Sequence, residues 1–152
     1  MNRLAHFLYI EEKLNVLAQR IETTGKLNIL TLHNHSENFY QHFFNLLYSY
    51  SLDDLNNSLQ NAEAIDIIDH KNLIIIQISS TCTKRKIESA LSKDLIKTHS
   101  NYTFKFISLS KNASNLRGQT FNNPHSIAFN PQSDIYDIVS ILRDIKAFKI
   151  EK

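Results

Sequence analysis

The chain has 152 residues, 42% hydrophobic and 21% charged, with a formal net charge of +2; that suits a single domain with a real core and excludes a global basic field, though a local basic patch remains open. The single cysteine, Cys82, excludes an internal disulfide and a thiolate metal cluster and fits a reducing, cytoplasmic setting. No run approaches the roughly 20 apolar residues of a membrane span, and the charged N-terminal segment (Arg3, Glu11, Glu12, Lys13) lacks the apolar core of a signal peptide.

The spacing of Leu4, Phe7, Leu8, Ile10, Leu14, Leu17 and Ile21 predicts an amphipathic helix over Arg3 to Thr24, closed by Gly25 as a C-terminal cap. Such a helix either covers the sheet as a lid or joins a second copy of the chain into a homodimer. Asn28 to Leu32 reads as a linker or a poor strand. Ser36-Glu37-Asn38-Phe39 resembles a capped helix start, with Glu37 in the first turn where the positive helix end favours an acid. Phe39, Phe43, Leu46, Leu47 and Tyr50 form its apolar side, and Leu52 to Leu59 follows as an edge strand.

Two short apolar runs come next, Ile65 to Ile68 and Leu73 to Ile78, separated by Asp69-His70-Lys71-Asn72. Two β-branched runs across a short polar break predict a β-hairpin. The second run is apolar on both alternating faces, which suits a central strand. With a turn centred between His70 and Lys71, Ile68 faces Leu73 and Asp66 faces Ile75. Alternation then puts Asp66, Ile75, Gln77 and Ser79 on one face, with Gln77 the diagonal neighbour of Asp66 at about 7–8 Å. A one-residue bulge would reverse that parity.

Ser80 to Thr83 is a polar loop. Lys84 to Lys97 reads as a helix with Ile87, Leu91, Leu95 and Ile96 inward. Lys84, Arg85 and Lys86 crowd its first turn, where cations oppose the helix dipole; such a local conflict hints at function. Tyr102 to Leu109 alternates as a strand beside the hairpin. Lys111 to His125 is a loop, Ile127 to Phe129 a short last strand, and Asp134 to Lys149 an amphipathic helix.

The chemistry narrows by exclusion. No histidine pair at helical spacing with an acid suggests a zinc hydrolase. With only Gly25 and Gly118, no glycine-rich phosphate cradle exists. The hairpin parity puts the Asp66 carboxylate and the Gln77 amide oxygen within side-chain reach of one small hard cation.

These residues carry a family resemblance. Ile65-Asp66, a short turn, and an apolar strand ending Gln77-Ile78-Ser79 resemble the PD-(D/E)xK nuclease core. From Glu37 to Ile87 the chain is also similar to the bacterial SMEK domain, whose pattern "Ala-Ile-Asp-Leu … Gln-Val-Thr-Ser" is matched by Ala64-Ile65-Asp66-Ile67 and Gln77-Ile78-Ser79-Ser80. The resemblance spans about Ser36 to Leu109. It implies a restriction-endonuclease-like αβββαβ core over residues 36–149, with a single mixed sheet flanked by helices and the N-terminal helix of residues 1–25 added, all in one domain. It implies a nuclease acting on DNA in bacterial defence or DNA processing. Asp66, Gln77 and Glu37 would hold Mg²⁺ or Mn²⁺ and, with Ser79, form the catalytic set. Ser79 occupies the family's lysine position, so Lys84 or Lys86 would have to reach in. Lys84, Arg85 and Lys86 would bind phosphates. The alternative is a non-catalytic module of the same fold that binds nucleic acid, senses or oligomerises.

Overall fold

The computed structural model describes residues 3–25, 41–51, 53–54 and 64–147, with the backbone alone at residues 3, 21, 24–25, 53–54 and 64–66. Helix α1 (Arg3–Gly25) is followed by helix α2 at residues 41–48, then strands β1 (Asp53–Asp54), β2 (Ala64–Asp69) and β3 (Ile74–Ser79). Helices α3 (Lys84–Leu91) and α4 (Asp94–Thr98) lead to strand β4 (Thr103–Ser108). Short helices α5 (Ser114–Arg117) and α6 (Pro131–Asp134), strand β5 (Ile135–Tyr136) and helix α7 (Ile138–Ala147) complete the order. The strands form one mixed sheet in the order β1-β2-β3-β4-β5. The β1–β2 and β2–β3 pairs are antiparallel; the β3–β4 and β4–β5 pairs are parallel.

Strand β3 is buried along its whole length, which explains its unbroken isoleucine run. Alternation splits that run between two cores. Ile74, Ile76 and Ile78 join Ile67 and Ile107 under Leu14 of α1, Phe44 of α2 and Ile141 of α7. On the other face Ile75 joins Ile68, Phe104, Phe106 and Ile135 beneath Ile87 and Leu91 of α3 and Ile96 of α4. Each such side chain contributes about 1.5–3 kcal/mol when fully buried. In helix α1, Leu14 and Ala18 are buried, Leu14 within the first of these cores, while Leu4, Leu8, Tyr9 and Val16 are exposed.

Several boundaries depart from the sequence reading, each for a physical reason. The hairpin pairs Asp66 with Gln77, Ile68 with Ile75 and Asp69 with Ile74, so the turn is His70 to Leu73, displaced towards β3. Leu73 adopts φ 58, a left-handed turn conformation, and is not a strand residue. The helix expected over Lys84 to Lys97 breaks at Ser92 and Lys93, where Lys93 is extended (φ −66, ψ 153). Ile96 lies about 140° round an unbroken helix from Leu91; the break turns it into the same core, where it is 1% exposed. The final strand is Ile135–Tyr136, which periodicity had assigned to the last helix, whereas the segment around Ala128 makes only a bridge to Thr103. Helix α5 interrupts what read as loop. The expectations for Asn28 to Leu32, for the Ser36–Glu37 helix start and for most of Leu52 to Leu59 lie outside the described residues.

Candidate functional site

Asp66 and Gln77 are direct cross-strand partners. Residues opposite each other in an antiparallel pair project from the same face, with Cβ atoms about 4.5–5.5 Å apart. The face is the one carrying Ile68, Ile75, Phe104 and Phe106, under α3. The shared face holds as the alternation predicts, and the pairing is closer than the diagonal one expected. Gln77 is 1% exposed, a polar side chain on a largely apolar strand.

Two positions further along β3 lies Ser79, fully buried and paired with Ala64 on one side and Ser108 on the other. Its Oγ accepts a hydrogen bond from Thr81 N at 3.0 Å, which shapes the loop leaving the strand. Ser108 does the same for the next loop: its Oγ donates to Lys111 O and accepts from Lys111 N. Neither hydroxyl resembles an ammonium in charge or reach. After the Ser79 loop, Thr83 caps α3 by accepting from Lys86 N. Lys84 and Arg85 are exposed and Lys86 is half-buried. The loop between Ser79 and Lys84 is four residues, so this basic turn opens beside the carboxyl end of β3.

For a hard cation the described residues offer the position of one carboxylate, Asp66, and one amide oxygen, Gln77, on a common face. That is the start of an oxygen set. Glu37, the expected third ligand, lies outside the described residues. Among the described residues no group of three His, Cys, Asp or Glu side chains gathers to hold a metal. Among the described residues the oxygen set stops at these two positions.

Sequence reasoning missed three charged anchors. Lys105 on β4 pairs in register with Ile76, so it projects from the face opposite Gln77. Its Nζ lies 2.8 Å from Asp134 Oδ1 and 5.5 Å from the Tyr136 ring centroid. It therefore cannot serve as the lysine partner of Asp66. Burial, then the nearby Asp134 and Asp144 carboxylates, push the Tyr136 hydroxyl up to about 12. The signal was present in β4, where Lys105 shares its alternating set with Ile107 and Leu109. The second anchor is Asp69, fully buried at the hairpin end. It accepts hydrogen bonds from Lys71 N, Asn72 N, Asn72 Nδ2 and Ser51 N. Burial alone would raise its pKa, but those bonds prevail and hold the carboxyl below its usual range. The third, Asp137, accepts from Ala113 N and Ser140 N and pairs with Arg117 at 3.2 Å. It locks the loop after β4 to the start of α7. Cys82 is partly buried, which pushes its thiol up and away from nucleophilic reactivity.

A mixed α/β domain with helices on both sheet faces is what these elements define. The chain belongs to the SMEK-domain family, whose profile matches residues 9–146. The match reaches from the body of α1 almost to the end of α7, beyond the stretch that carried the resemblance in sequence. Comparison with curated proteins and with solved structures returned no significant match. No helix among the described residues is long and apolar enough to cross a membrane.

Proposed function

We propose that the domain is a metal-dependent nuclease-like module acting on DNA, of the restriction-endonuclease-like kind, in bacterial defence or DNA processing. The observation that carries this reading is the direct pairing of Asp66 with Gln77 on the sheet face beneath α3. Asp66 supplies the charge and Gln77 a neutral oxygen, with Glu37 as the third ligand. A Mg²⁺ or Mn²⁺ ion held there supplies an activated water and neutralises charge on the phosphodiester. Lys84 and Arg85, exposed beside the end of β3, hold the DNA backbone and fix its register. The defence setting rests on the resemblance to the bacterial SMEK domain. Incubating the protein with plasmid DNA and Mg²⁺ or Mn²⁺ tests the reading. Nicking should appear in the wild type and fall by orders of magnitude in Asp66→Asn, with the fold intact by circular dichroism. Wild-type protein that stays inert with both metals would sink the enzyme reading.

A second reading, a non-catalytic nucleic-acid-binding module of the same fold, is favoured by Ser79. Its hydroxyl is buried and committed to Thr81 N, so the family's lysine position is filled by a structural group. DNA binding without cleavage, lost on replacing the basic turn of α3, would select it. In either case we propose that the outward apolar positions of α1 join two copies of the chain.

A further inference from the structure

At the tip of the hairpin, away from Ser79 and the start of α3, three rings come together. His70 belongs to the β2–β3 turn, His99 caps the end of α4, and Tyr102 precedes β4. The two imidazole centroids are 6.2 Å apart. Tyr102 stands edge-on to both, at 6.0 Å from His70 and 4.9 Å from His99 with interplanar angles of 88° and 89°. We propose that His70 and His99 together bind a divalent transition-metal ion of the zinc, nickel and copper class, through the Nε2 atom of each ring.

The hydrogen bonds support this arrangement. His99 Nδ1 lies 2.8 Å from Leu95 O and 2.9 Å from Thr98 Oγ1. A carbonyl only accepts, so Nδ1 carries a proton, and in the neutral ring that leaves the Nε2 lone pair to a metal. His70 Nδ1 lies 2.8 Å from Tyr102 Oη. Ligation through Nε2 selects the tautomer in which His70 Nδ1–H donates to that oxygen. Both rings are thus held from behind through Nδ1, the support that orients metal-bound histidines. Among the described residues neither Nε2 makes a hydrogen bond. With metal–nitrogen bonds of about 2.1 Å and a centroid about 1.2 Å behind Nε2, two rings sharing an ion stand about 5.4 Å apart at a tetrahedral angle and about 6.6 Å apart at a linear one, so the 6.2 Å separation closes by less than about 1 Å on tetrahedral binding. His70 is exposed and His99 half-buried, so an ion enters from solvent and water completes its coordination. Imidazole selects zinc, copper or nickel over magnesium. The ion would tie the hairpin tip to the α4–β4 turn, and it is independent of any ion at Asp66.

Calorimetric titration with Zn²⁺ at neutral pH, with thermal melting in parallel, tests the site on the full chain. One ion should bind per chain and raise Tm. His70→Ala and His99→Ala should each lower affinity at least tenfold and remove the zinc-dependent shift, while melting cooperatively without zinc. His125→Ala should bind as the wild type does, and the histidine-dependent part of the binding should persist in Asp66→Asn. Mg²⁺ should produce no histidine-dependent shift. The proposal is overturned if the wild type binds no zinc, if either histidine variant binds it unchanged, or if Asp66→Asn abolishes the binding. Loss of plasmid cleavage in Asp66→Asn with zinc binding retained would separate this site from the nuclease reading.

Discussion

Asp66 and Gln77 face each other directly across the central hairpin, in the same register row that continues to Phe106 and Ile135. As the cation site proposed above, an acid beside an amide would lack the formal charge that a second acid supplies. Gln77→Glu should therefore tighten Mn²⁺ binding, measured by calorimetry. Without metal the same change should destabilise the fold, since a second carboxylate at a position 1% exposed is costly. Ser79→Lys installs the lysine of the resembled PD-(D/E)xK pattern but removes the acceptor of Thr81 N and places a charge where Ser79 is fully buried. We expect it to cost more than about 3 kcal/mol in urea unfolding and, on the nuclease reading, to raise cleavage per folded molecule.

The basic turn of α3 makes a prediction about salt. If Lys84, Arg85 and Lys86 contact phosphates, replacing all three by Ala should weaken DNA binding for every sequence alike. The slope of log affinity against log salt should become shallower by about 2 to 3. An unchanged slope would remove this turn from the interface.

Asp69 should govern acid stability at the hairpin. Its folded pKa lies below the ordinary aspartate range. The stabilisation is present above the unfolded pKa and is lost as pH falls through the lower folded value. Asp137 behaves in the same sense. Asp69→Asn should cost about 1.5–3 kcal/mol at pH 7, and the gap to wild type should narrow in urea melts at pH 3. A gap that stays constant between the two pH values would refute the linkage.

Lys105 and Asp134 should be strongly coupled. Their side chains are 13% and 9% exposed. Removing one partner, as in Asp134→Ala, leaves a poorly solvated charge and should cost about 3 kcal/mol. The double change Lys105→Met with Asp134→Ala should cost less than the sum of the singles in a double-mutant cycle.

Leu4, Leu8, Tyr9 and Val16 are 65%, 50%, 61% and 43% exposed on α1. If that face joins two copies, sedimentation should show a dimer in the wild type and a monomer in Leu8→Glu, with unchanged helicity. A wild-type monomer at high concentration would end the proposal.

The face shared by Asp66 and Gln77 was legible because strand alternation has a period of two, and a register displaced by two residues preserves it. The register itself was not. Leu73 looks like a strand residue by type, yet the Asp69 carboxylate captures Lys71 N and Asn72 N and pulls the turn towards β3. The break at Lys93 and the strand at Ile135 were hidden for one reason. Isoleucine spacing reads as a continuous helix unless a cap is recognised, and Asp137 was that cap for α7, with Ser140 N donating to it. Lys105 with Asp134, and Tyr48 with Asp144, unite residues far apart in sequence, and no local pattern announces them.

The outer strand of the described sheet is two aspartates. Asp53 and Asp54 cover Ile68 and Ile67, residues that would otherwise offer a β-branched template to a stray chain. A second copy docking edge to edge would bring like charges together, which resists growth of the sheet from molecule to molecule.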